Sequence, residues 1–77
     1  MKILIIGLHC WGKGDTEEEA KIKARKEGGK DGMKRYLVYE VSDETWVDDM
    51  GNLCHNHDSP MPRLRKRTIG RRVEIVS

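Results

Sequence analysis

Lys2 to Leu8 is an apolar, β-branched run with Ile3-Leu4-Ile5-Ile6 at its centre, and it predicts a buried strand. Trp11-Gly12-Lys13-Gly14 then reads as a break. Asp15-Thr16-Glu17-Glu18-Glu19 has the form of a helix start, in which Asp15 or Thr16 caps and Glu18 or Glu19 follows three residues on. Its glutamates suit the positive end of the helix dipole. Lys21, Lys23, Arg25 and Lys26 fill the later turns, and Gly28-Gly29 supplies a stop, giving a helix over residues 16–27. At about 100° per residue, Thr16, Ala20 and Ala24 form one narrow stripe while Ile22 points elsewhere. Small residues in that stripe let the helix lie close against a sheet.

Arg35 to Val41 predicts a second strand, with Leu37, Tyr39 and Val41 on one face and Tyr36, Val38 and Glu40 on the other. Thr45-Trp46-Val47 and Leu53-Cys54-His55 flank a hairpin turn at Asp49-Met50-Gly51-Asn52. Trp46 is expected in the core rather than at a contact surface. Asn56 to Pro62 is loop-like, because Pro60 and Pro62 bar a central strand. A basic run from Arg63 to Arg72 leads into a short β-prone segment, Val73 to Val76. The predicted fold is α+β: a small antiparallel sheet with one helix packed on one face, in β-α-β-β order, with a C-terminal edge strand. Residues 1–62 form a single domain, and residues 63–77 are a basic segment that serves as its edge strand or tail.

At 77 residues the chain has room for one small core. Its 36% hydrophobic and 36% charged composition is polar for a folded domain, yet not polar enough to read as disorder. Gly7, His9, Gly12 and Lys13 interrupt the apolar N-terminus too early for a signal-peptide core, and no run approaches membrane-span length. A reducing cytoplasm is therefore expected, with no membrane association and with Cys10 and Cys54 as free thiols. A single bridge between those two is the alternative.

The net charge of +2 conceals a segregation. Residues 1–35 carry nine Lys/Arg against six Asp/Glu. Residues 36–58 carry six acids (Glu40, Asp43, Glu44, Asp48, Asp49, Asp58) and no Lys or Arg. Residues 59–77 carry six basic residues against Glu74 alone. A pattern of this kind concerns partners and solubility more than fold.

Three motifs invite chemistry. Gly7-Leu8-His9-Cys10-Trp11-Gly12-Lys13-Gly14 is similar to the phosphate-binding loop of P-loop NTPases. However, Gly14 stands where a magnesium-binding hydroxyl belongs, and the chain is too short for the sheet those enzymes use. A strand-to-helix turn rich in glycine accounts for it better. His9, Cys10, Cys54 and His57 are zinc-ligand types that would need the first strand and the hairpin to be neighbours, at a spacing unlike paired ligand knuckles. No cofactor is expected, with a structural zinc on those four residues as the alternative.

The third motif is the set Arg63, Arg65, Lys66, Arg67, Arg71 and Arg72. On an extended segment Arg63, Arg65 and Arg67 would share one face, fit to track phosphates or an acidic partner. Asp43, Glu44, Asp48 and Asp49 around Trp46 make the complementary candidate, an anionic rim for a basic protein surface. A third reading is internal, with the basic segment neutralising the acidic hairpin. No nucleophile and base are partnered by spacing, so a non-catalytic role is expected.

The layout of Trp11-Gly12-Lys13-Gly14-Asp15-Thr16, then a Glu/Lys/Ala helix, then the strand Arg35 to Val41, resembles small phage-encoded accessory proteins. Among them it loosely resembles compact β-α-β-β anti-CRISPR proteins, over residues 1–58. The resemblance is one of architecture and carries over no functional residue. It implies a regulator or inhibitor that binds a protein or nucleoprotein complex. Direct nucleic-acid binding through the arginine-rich segment is the alternative.

Overall fold

The structure, a computed structural model, describes residues 1–76. Strands β1 (Lys2–Gly7), β2 (Cys10–Gly14), β3 (Arg35–Val41), β6 (Arg63–Ile69) and β7 (Arg72–Ile75) form one sheet in the order β2-β1-β3-β6-β7. Every neighbouring pair in it is antiparallel. Helix α1 (Glu17–Gly32) packs on one face. A two-stranded hairpin, β4 (Trp46–Val47) and β5 (Leu53–Cys54), packs on the other. The chain is thus α+β, with one helix on an antiparallel sheet. No helix among the described residues is long and apolar enough to cross a membrane.

Adjacent residues of β1 serve the two faces. Ile5 joins Cys10, Ala20, Ala24 and Val38 beneath the helix. Leu4 joins Val41 and Val47 beneath the hairpin. Fully burying a side chain of this size contributes about 1.5–3 kcal/mol, so Leu4, Ile5 and Val41 anchor both layers. The alternation expected along β3 holds, with Tyr36 and Val38 toward the helix and Tyr39 and Val41 toward the hairpin.

The segment read as a break, Trp11 to Gly14, is instead part of a strand. β2 returns along β1 with Ile5 opposite Gly12 and Ile3 opposite Gly14, after a turn at Leu8-His9 where His9 adopts φ 61°. Its glycines serve packing. A Cβ on Gly12 would lie 2.3 Å from the Ala20 carbonyl oxygen and 2.5 Å from the Ala24 nitrogen. The helix backbone therefore rests directly on this strand, through the predicted stripe of Ala20 and Ala24, while Ile22 is exposed.

The helix begins as expected. The Thr16 hydroxyl accepts from the Glu19 N–H, and the Glu19 carboxylate accepts from the Asp15 N–H, a reciprocal cap. It does not end at Gly28. Gly29 leaves helical geometry (φ 64°, ψ −163°), and one more turn follows to Gly32. The Gly32 carbonyl accepts from the Leu8 N–H at 2.8 Å, which ties the helix end to the β1–β2 turn.

The basic segment is no tail. β6 lies inside the sheet between β3 and β7, and β7 alone forms that edge. Thr68 is buried there. The Gly70-Arg71 turn joins the two strands, its Gly70 N–H donating to the Lys34 carbonyl at 2.8 Å.

Candidate interaction surface

Pairing places the basic residues. A register shift falls between Val38 and Tyr39, where Val38 faces Lys66 but Tyr39 faces Leu64, leaving Arg65 as the extra residue of a β-bulge. Residues opposite one another share a face of the sheet. Arg63, opposite Glu40, and Lys66, opposite Val38, therefore belong to the helix side. Arg67, opposite Leu37, belongs to the hairpin side. The expectation of one continuous face for Arg63, Arg65 and Arg67 is corrected, because the bulge breaks the period of two on which it rested.

Two clusters result. On the helix side, Arg63, Arg65 and Lys66 line an open groove with Glu17, Ile75 and Val76, and Lys66 donates to the Glu17 carboxylate at 2.7 Å. On the hairpin side, Arg67 and Arg72 are joined by Arg35, since Arg35 faces Ile69 and Ile69 faces Arg72. This second cluster surrounds apolar residues. Leu8, Leu37 and Ile69 line a groove of about 280 Å³ together with Arg35 and Arg67. Leu8 is 59% and Ile69 52% exposed. The β4–β5 hairpin packs over Leu4, Ile6, Trp11 and Tyr39, and so leaves this end of the sheet open. Arg71 stands in the β6–β7 turn and is exposed.

The acidic hairpin forms no ion pair with this region among the described residues. Among the described residues the ion pairs are Lys2 with Asp15, Lys34 with Asp31, Lys66 with Glu17, and Arg67 with Glu74. None joins residues 43–58 to β6 or β7. Within the acidic hairpin Asp48 is structural. Its carboxylate accepts from the N–H groups of Asn52 (2.8 Å) and Met50 (3.0 Å), and the Asn52 N–H above all holds it below the ordinary aspartate range. Asp43 and Glu44 are exposed, with the Asp43 and Thr45 carbonyls pinned by the Lys13 ammonium at 2.7 and 2.9 Å. Asp49 is exposed at the turn. Trp46 is 43% exposed, against the core position expected for it. Val47 is buried in its stead, because neighbours on a strand point apart. Trp46 and Met50 are both exposed on the hairpin.

The four zinc-ligand candidates are not brought together. Cys10 is buried under the helix, its thiol donating to the Gly32 carbonyl at 3.6 Å, and burial raises its pKa. Cys54 donates toward Asp48 and the Asn52 carbonyl on the hairpin. His9 and His57 are exposed. Among the described residues no group of three or more His, Cys, Asp or Glu is arranged to hold a metal ion. Cys10 and Cys54 are both free thiols.

Arg35 and Ile69 were missed as site residues by reading the sequence. Arg35 sits at the start of a strand in the sequence, and only the β3–β6 pairing places it beside the arginines of the C-terminal segment. No family model, no curated protein and no solved structure matches the chain.

Proposed function

We propose that this domain is a non-catalytic regulator or inhibitor that docks on a protein or nucleoprotein complex through the open end of its sheet. The observation that carries this reading is the composition of the hairpin-side patch. Leu8, Leu37 and Ile69 form an uncovered apolar centre flanked by Arg35, Arg67 and Arg72. Apolar residues ringed by arginine are the make-up of a protein contact, with burial supplying affinity and charge supplying orientation. The partner surface that fits is apolar at its centre and acidic at its rim.

Direct nucleic-acid binding is supported less. The bulge divides the basic row between two faces, so Arg63, Arg65 and Arg67 offer no continuous cationic track to a phosphate backbone. The acidic hairpin with Trp46 is a second surface, suited to the basic groove of a nucleoprotein.

Affinity capture from the native host, with and without nuclease, separates these readings. We expect a protein that survives nuclease, withstands moderate salt and is lost on Arg67→Glu. Capture of nucleic acid alone, weakening steeply with salt and equally lost on Arg63→Ala and Arg67→Ala, would overturn the proposal in favour of the nucleic-acid reading.

A further inference from the structure

The outer edge of β7 carries backbone groups with no strand beside them, since β7 ends the sheet. Ile69 and Arg72 close the β6–β7 turn as a pair, and the Val76 N–H donates inward to the Arg65 carbonyl at 2.9 Å. Backbone direction alternates along a strand. Arg72, Glu74 and Val76 therefore bond toward β6, while Val73 and Ile75 turn their N–H and C=O groups outward. All four residues of β7 are exposed, Val73 at 51% and Ile75 at 72%. Helix and hairpin both pack over the β2-β1-β3 end of the sheet, which leaves room beyond β7 for another strand.

The order Arg72-Val73-Glu74 is complementary to itself when reversed. Two copies of an edge meet antiparallel only with outward-bonding residues opposite outward-bonding ones, so a two-fold axis falls on a residue and never between two. With the axis on Val73, Val73 meets Val73 of the second copy, and each Arg72 meets the other copy's Glu74. Arg72 and Glu74 lie on the hairpin-side face, where Glu74 already accepts from Arg67 at 3.3 Å. Each carboxylate would then sit between two guanidiniums. Moving the axis to Arg72 sets arginine on arginine, and moving it to Glu74 sets glutamate on glutamate; like charges directly opposite are unfavourable. An axis on Ile75 leaves Arg72 with no partner in the strand. Charge alone thus selects one register.

We infer that the chain self-associates as a two-fold dimer through β7, edge to edge and antiparallel about Val73, joining its two five-stranded sheets into one. This contact does not require the partner proposed above, although Arg72 belongs to both surfaces, and it is tested with the purified chain alone.

Sedimentation equilibrium up to roughly 1 mM chain reads it directly. The wild type dimerises, and added salt weakens the dimer. Arg72→Glu and Glu74→Arg each raise the dissociation constant by about tenfold or more, while circular dichroism shows both folded. An equimolar mixture of the two variants restores dimer, because one edge then carries two acids and the other two arginines. A monomeric wild type at that concentration, or a dimer indifferent to both substitutions, overturns the proposal, as does a mixture no tighter than either variant alone. Should either variant fail to fold, Val73→Cys gives a second reading. Paired residues across an antiparallel contact stand at a distance a disulfide spans, so oxidised glutathione links two chains through the introduced thiols. Absence of that bond under the same oxidation counts against the dimer.

Discussion

The two ends of the sheet are built for different work. At the β2-β1-β3 end, both faces are covered, the helix lies against Gly12, and Leu4, Ile5 and Val41 are fully buried. At the β6-β7 end, no residue of either strand joins a core cluster, α1 reaches across through the Glu17–Lys66 ion pair, every residue of β7 is exposed, and apolar side chains alternate with arginine and glutamate along β7. A small domain with little core to spare gains nothing in stability from leaving Leu8, Ile69, Val73 and Ile75 in water. The difference teaches that the covered end holds the fold together, while the open end is the surface we propose for meeting other molecules.

The comparison breaks most sharply at Gly12. Gly12→Ala drives a methyl group into helix backbone, which cannot swing aside as a long side chain would. We expect a loss of about 3 kcal/mol, at the upper end of overpacking costs, enough to leave so small a domain partly unfolded in urea titration at neutral pH. An unchanged midpoint would show that the helix does not rest on β2.

Thr68 marks the border between the ends, and among the described residues its buried hydroxyl has no hydrogen-bond partner. Thr68→Val keeps the shape and removes the unpaired group. It should raise stability by about 1 kcal/mol in the same titration, whereas a fall would mean that the hydroxyl is bonded.

The smallest effect is local and concerns pH. Because the folded-state pKa of Asp48 is depressed, its contribution is complete above the unfolded-state value of about 3.9 and is lost as pH falls through the folded value. Trp46 fluorescence should therefore report loosening of the β4–β5 hairpin in acid, below the ordinary aspartate range. Asp48→Ala should show the loosened signal already at neutral pH. A signal that titrates identically in both proteins would remove Asp48 from the account.

Much of the covered end was legible in the sequence, and less of the open end. The capping pattern at Thr16 and Glu19, the strand from Arg35 to Val41 and the turn at Asp49 to Asn52 rest on local chemistry, which a linear reading can follow. β2 was not legible, because Trp11-Gly12-Lys13-Gly14 has the composition of a turn. Its glycines are demanded by the approach of a helix that sequence spacing does not reveal. The helix also outran its apparent stop, since Gly29 bends the chain without ending it. At the open end the alternation of Arg63, Arg65 and Arg67 was plain, but the bulge at Arg65 depends on pairing with β3 and sends Arg63 and Arg67 to opposite faces. The same pairing recruits Arg35 from 28 residues earlier than Arg63. Charge segregation was therefore readable as composition, while its geometry was not.

Ile69→Asp tests the division of labour most directly, with urea unfolding and partner capture measured on the same preparation. Ile69 is half exposed in the open patch and belongs to neither core cluster. The variant should keep its stability within about 0.5 kcal/mol of the wild type, as for a surface change, and lose the captured partner. Wild-type capture by the folded variant, or unfolding caused by the substitution, would contradict the claim that this end of the sheet is a surface for binding.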